Sequence, residues 1–193
     1  MPAEQGPRRV VLQMGVSLDA IAAIPRGNGT MPVMEGQWGL PPEPPELTEL
    51  KLAWLREADA HLMGRVTYEA MAGYWPMSTH PYAALMNDIP KVVFSKTLDR
   101  ADWPDSQIAR GDIADEVARL KREPGKDLIA HGGASFAQSL ARHNLIDEYR
   151  LMIHPVAIGS GLPVFKDLTT PLRLELIDAR TFGGTSVRVY ARA

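Results

Sequence analysis

Asp127-Leu128-Ile129-Ala130-His131-Gly132-Gly133-Ala134-Ser135-Phe136 is the stretch that decides the fold class. Its apolar centre, Leu128 to Ala130, reads as a short strand buried on both faces. Two glycines break the run, and Phe136 and Leu140 then recur at helical spacing. Strand, glycine turn and helix together form the repeating unit of an α/β sheet.

The same unit recurs upstream. His61-Leu62-Met63 reads as a strand ending at Gly64, and Val66 to Ala72 as a helix closed by Tyr74-Trp75-Pro76. Val10 to Val16 and Pro90 to Ser95 read as further buried strands. Ser17 to Trp38 reads as irregular, with Gly27-Asn28-Gly29 and Gly36 as breakers. Pro41-Pro42-Glu43-Pro44-Pro45 is stiff, and Pro45 suits a first helical turn. Leu47, Leu50, Trp54 and Ala58 then mark one helix face. Asp112 caps a helix carrying Ile113, Val117 and Leu120, with acids first and bases last, as the macrodipole prefers. Glu148 to Val156 reads as a strand. Leu172–Thr181 and Thr185–Arg192 form a hairpin around Gly183-Gly184. Alternating strands and helices imply a mixed, mostly parallel sheet with helices on both faces and a C-terminal antiparallel hairpin.

Length and composition narrow the possibilities. A chain of 193 residues suits one domain. Residues 1–8 read as a flexible N-terminus and 9–193 as that domain. Lys plus Arg is 21 and Asp plus Glu is 23, a net charge of −2. Without a positive excess, the chain is not expected to bind nucleic acid. The absence of Cys excludes disulfides, iron–sulfur clusters and thiol catalysis. The five histidines lack metal-binding spacing, so no metal is expected. No apolar run approaches the roughly 20 residues of a membrane span, and a cytoplasmic protein is expected.

In open α/β sheets, ligands bind beyond the carboxyl ends of the strands. Three junctions qualify. Gly64-Arg65-Val66-Thr67 offers a helix start, a cation and a hydroxyl. Gly132-Gly133-Ala134-Ser135-Phe136 offers a second helix start. Phe94-Ser95-Lys96 offers a hydroxyl and a cation at a strand end. Two helix starts plus a lysine suit a polyanion such as a dinucleotide, although neither G-x-G-x-x-G nor the P-loop pattern is present. Gly15-Val16-Ser17-Leu18-Asp19 approaches a nucleophile elbow, but Asp19 replaces its second glycine, which argues against a hydrolase.

Taken in order, these stretches resemble the dihydrofolate reductase-like superfamily. They are most similar to the branch related to the reductase domain of bifunctional riboflavin-synthesis deaminase–reductases. Ser17-Leu18-Asp19, Leu62 through Glu69, Val92 through Lys96, His131 through Phe136, and Leu145 through Phe165 carry the likeness. It implies a dihydrofolate reductase-like three-layer α/β/α fold and NADPH as hydride donor to a C=N or C=O of a small heterocycle, of dihydrofolate or riboflavin-precursor type. Arg65 and Thr67 then match the helix start holding the ribose phosphate and pyrophosphate. Ser95 and Lys96 match the strand end beside the 2′-phosphate. Gly132, Gly133, Ala134, Ser135 and Phe136 match the pyrophosphate turn, and Ala20, Ile21 and Ala22 the strip behind the nicotinamide. Trp38-Gly39-Leu40-Pro41-Pro42-Glu43 resembles the stretch bearing the carboxylate that supports protonation. Glu43 is therefore the favoured catalytic residue, with a pKa raised by shielding. Asp19, Glu46 and Glu49 are rivals. The likeness also implies a homodimer through the side of the sheet formed by Glu148 to Val156. A non-catalytic dinucleotide-binding oligomer is the alternative.

Overall fold

The apolar runs become the middle of an eight-stranded sheet. The computed structural model describes residues 7–27, 29–32 and 39–193. The breakers Asn28 and Gly36, the aromatic Trp38 and residues 1–6 lie outside the described residues. Of the polar start, Arg8 is buried, donating to Lys126 O at 2.8 Å and pairing with Asp59.

Six parallel strands stand in the order β8 (Glu148–His154), β1 (Val10–Ser17), β7 (Asp127–His131), β4 (Ala58–Gly64), β5 (Lys91–Phe94), β6 (Ser106–Ala109). Beside β8 lies β11 (Thr185–Arg192), antiparallel, and β10 (Leu174–Phe182) pairs with β11 at the edge. This is the mixed sheet with a C-terminal hairpin that the sequence predicts.

Alternation within the strands divides the core. Leu12, Leu62, Leu128 and Ala130 face the helices α4 (Ile113–Arg122) and α5 (Ala134–Arg142), represented by Val117, Leu120, Ala137 and Leu140. Val11, Met63, Val93 and Ile129 face the opposite side. There they pack against Leu55 of α1 (Pro45–Arg56), Tyr68 of α2 (Arg65–Tyr74) and Met86 of α3 (Ala83–Asp88). Each of these Val, Leu, Ile and Met side chains, fully buried, contributes roughly 1.5–3 kcal/mol. The result is the three-layer α/β/α arrangement of the dihydrofolate reductase-like fold.

Local chemistry explains the boundaries. The Asp112 carboxylate accepts from the Ala114 N–H at 2.8 Å and caps α4. Pro45 opens α1, where an amide would have no partner. Helix α1 ends at Arg56, so Ala58 belongs to β4 and not to the helix face the spacing extends to it.

Among the described residues, four strands and one α-helix escape the sequence reading. The stretch read as irregular contains β2 (Ile21–Arg26) and β3 (Gly29–Pro32), which join β9 (Leu162–Pro163) in a small antiparallel sheet. Pro25 and the flanking glycines masked an Ile21–Ile24 run too short for periodicity to register. The others, β6 and α3, span 4 and 6 residues.

Candidate active site

Parallel pairing sends every carboxyl end of the central strands to one edge. Ser17, His131, Gly64, Phe94, Ala109 and His154 terminate β1, β7, β4, β5, β6 and β8 there. The Gly64, Ser95 and Gly132 junctions follow the adjacent strands β4, β5 and β7, about 5 Å apart from neighbour to neighbour. All three predicted junctions thus meet at one edge.

Helices α2 and α5 both start at this edge, and neither carries a side-chain cap. Their first N–H groups and positive dipole ends are therefore available to an anion. Close packing holds the two starts together. The Thr67 hydroxyl lies 3.5 Å from Gly132 O. A Cβ on Gly64 would stand 3.3 Å from Phe136 Cβ, so only glycine allows β4 and α5 this approach without displacement. Gly133 has φ +76°, and a Cβ there would fall 2.4 Å from Thr67 Oγ1. The turn therefore requires glycine both for its conformation and for its space.

One strand over, the Ser95 Oγ accepts from the N–H groups of Thr97 at 3.2 Å and Leu98 at 2.9 Å, which folds the chain back and leaves its proton free to donate. Lys96 is exposed and has no ion-pair partner among the described residues. Arg65 is half exposed, 3.5 Å from Glu69 one helical turn on. A cleft of about 310 Å³ lies here, lined by Phe94, Ser95, Lys96, Asp112, Phe136 and others. The Phe94 and Phe136 rings, 5.0 Å apart, form part of its wall.

Beyond β1 the chain turns sharply. Ala20 has φ +61°, and its carbonyl accepts from Val164 N–H at 3.0 Å. Ile21 and Ala22 are buried at the same sheet edge. Asp19 accepts from Ser17 Oγ at 2.5 Å, Ile158 N–H at 3.1 Å and Gly159 N–H at 2.6 Å. These donors, Ser17 first, lower its pKa to about 2. Asp19 is an anion that ties two loops together.

Glu43 lies just ahead of α1, half-buried. It accepts from Thr48 Oγ1 at 2.7 Å, and also from Lys51 Nζ and Tyr82 OH. Burial alone would raise its pKa, as expected from a shielded site. The Lys51 ammonium, aided by the hydrogen bonds from Lys51, Tyr82 and Thr48, outweighs burial and lowers it. The expectation of a raised pKa is therefore corrected: Glu43 is ionised at neutral pH. Glu46 and Glu49 are exposed.

A family model described as the RibD C-terminal domain matches residues 8–187. The chain belongs to the RibD C-terminal domain family. An uncharacterized protein of Bacillus subtilis (strain 168), YyaP, is 30% identical over 187 residues, which cover 94% of this chain and 93% of that one. A diaminohydroxyphosphoribosylaminopyrimidine deaminase/5-amino-6-(5-phosphoribosylamino)uracil reductase of Thermotoga maritima is similar in structure, with TM-score 0.66, 15% identity and coverage of 97% of this chain but 57% of that one. Dihydrofolate reductase of Enterococcus faecalis, complexed with NADP(H), gives TM-score 0.58 at 13% identity, covering 95% and 96%. Both likenesses speak to the fold.

Within this member of the family, three polar residues around Glu43 went unnoticed in sequence. Lys51 stands one turn after Leu47 on the buried face of α1. A lysine on an apolar face was the available signal, since lysine is buried only when paired. Thr48 and Tyr82 gave no signal at all. His61 and His131 also pair: His131 Nε2 lies 2.6 Å from His61 Nδ1, and both rings are buried.

Proposed function

We propose that this chain is an NADPH-dependent reductase that delivers hydride to a C=N or C=O of a small heterocyclic substrate. The observation that carries the proposal is the meeting of two uncapped helix starts at one sheet edge, clamped by Thr67 against the Gly132-Gly133 turn, with Ser95 and Lys96 one strand away. This donor set fits a dinucleotide phosphate. N–H groups at the starts of α2 and α5 would hold the pyrophosphate, with Arg65, Ser95 and Lys96 serving the 2′-phosphate. A Cβ at Gly133 would fill the cradle. Family membership and the likeness to an NADP(H)-complexed reductase support the same reading.

When bound, NADPH supplies the hydride. The protein's task is to position, to exclude water and to see that a proton arrives. Ala20, Ile21 and Ala22 would form the apolar wall behind the nicotinamide. Glu43, being ionised, would not carry the proton itself. It would orient and polarise a donor at its oxygens, where three donors already converge. Asp19 would hold the loops of residues 17–20 and 155–161 at the same edge. Riboflavin-precursor and dihydrofolate-type heterocycles are the substrate classes to test. NADPH titration followed by NADPH-oxidation assays on pterins, ribosylaminopyrimidines and simple carbonyls tests the proposal. NADPH binding without turnover on any class would instead favour a non-catalytic dinucleotide-binding oligomer.

Two expectations follow from this reading. Arg65→Ala and Lys96→Ala should each weaken NADPH about tenfold, equivalent to about 1.4 kcal/mol, while NADH affinity changes little, because only the 2′-phosphate needs a cation. Parallel isothermal titrations decide this, and equal losses for both cofactors would contradict the assignment. The chain should also form a homodimer through the β8–β11–β10 side of the sheet, where Leu176 and Ile177 of β10 are exposed. Light scattering at micromolar concentration should give twice the 21.2 kDa chain mass, whereas a monomer mass would oppose it.

A further inference from the structure

We propose that His61 and His131 form a neutral, single-tautomer hydrogen-bonded strut that braces the Gly132-Gly133 turn against helix α3 and so sets its geometry for the dinucleotide. This rests on the reading of that turn as the pyrophosphate cradle.

The two rings sit on the adjacent strands β4 and β7, with centroids 4.6 Å apart. His131 Nε2 and His61 Nδ1 are 2.6 Å apart, and His61 Nε2 lies 3.3 Å from the Leu85 carbonyl of α3. These contacts fix the protons. A carbonyl only accepts, so His61 carries its proton on Nε2. In the neutral ring its Nδ1 is then an acceptor, and the proton between the rings belongs to His131 Nε2. The polarity runs His131 to His61 to Leu85.

Such a chain cannot act as a proton relay, because it ends on a carbonyl with no proton to give. What it can do is position. His131 immediately precedes Gly132, and its ring is held through His61 by the backbone of α3. Helix α3 also follows Tyr82, whose hydroxyl donates to Glu43 and whose carbonyl accepts the Met86 N–H at 2.9 Å. The cofactor turn and the substrate-side carboxylate are thus braced by one short helix.

The surroundings keep the pair neutral. Burial pushes His61 down to about 4 and His131 well below its ordinary value. From β5, the buried Lys91 is register-paired with His61, and its positive charge further disfavours an imidazolium. The Lys91 ammonium is itself occupied by the carbonyls of Asn87 and, at 3.2 Å, Pro104. Asp88 and Asp105 act on Lys91, and neither contacts the imidazoles.

The test combines side-chain nitrogen NMR with NADPH titration. In the wild-type protein from pH 8 to pH 6, both imidazoles should appear as neutral Nε2–H tautomers, with no titration and a scalar coupling across the His131–His61 hydrogen bond. His131→Leu and His61→Leu should each weaken NADPH about tenfold, and the double variant by no more than either alone, because both remove one strut. His131→Gln, which can place an amide donor where Nε2 stands, should restore most of the affinity. The Gly132, Gly133 and Ala134 amide resonances should shift in the Leu variants and return toward wild type in the Gln variant. If the Leu effects add, if Gln binds no better than Leu, or if the rings titrate independently near the ordinary histidine range, the strut is overturned. If the wild-type protein binds no NADPH, the cofactor reading fails, while the tautomers and turn resonances still judge the strut.

Discussion

Gly133→Ala should weaken NADPH binding about 100-fold and cost about 2–3 kcal/mol of folding stability, while Gly132→Ala should change either quantity only slightly. The two glycines are neighbours, but they answer to different constraints. Gly133 has φ +76°, and its new Cβ would meet Thr67 Oγ1 at 2.4 Å. Relief requires moving either the backbone of the turn or Thr67, and both belong to the proposed cradle. At Gly132 the new Cβ would meet only Met14 Cε, at 2.8 Å. That atom is the end of a flexible side chain and can swing aside. NADPH titration with denaturant unfolding on both variants checks this. Wild-type affinity in a folded Gly133→Ala protein would mean that the turn does not hold the cofactor.

Glu43→Gln should lower the hydride-transfer rate about 100-fold on whichever heterocycle proves to be reduced, and leave NADPH affinity unchanged. It should also lower stability by on the order of 2 kcal/mol, because the Lys51 side chain, only 11% exposed, would lose the charge that faces it. The amide can still accept from Thr48 and Lys51, so the variant should fold. Pre-steady-state rates separate chemistry from binding. Full turnover in Glu43→Gln, with loss in Asp19→Asn or Glu46→Gln, would move the role to another carboxylate.

The sequence carried the fold because its strongest signals were the ones that set topology. Val10–Val16, Pro90–Ser95 and Asp127–His131 are apolar runs that only a sheet covered on both faces can bury. Gly64 at the end of β4 and Gly132-Gly133 after β7 mark where chain direction changes. The hairpin of β2 and β3 was hidden because Pro25, although register-paired with Thr30, ends the short apolar run Ile21–Ile24 of β2. The three strand–turn junctions that meet at one sheet edge were legible because each is contiguous in sequence. The cluster around Glu43 was not, because Glu43 draws its partners from α1 and from the chain just before α3. Lys51 and Tyr82 stand 8 and 39 residues away, with no spacing rule to link them. The lowered pKa of Glu43 is a property of that assembled cluster and of no one residue in it. The His61–His131 pair, 70 residues apart, is hidden for the same reason.

Calorimetric titration of the wild-type protein with NADPH and, in parallel, NADH tests the proposed cofactor site most directly. NADPH should bind saturably and at least tenfold tighter than NADH, with Lys96 and Arg65 as the proposed partners of the 2′-phosphate. Absence of NADPH binding, or equal affinity for both cofactors, would contradict it.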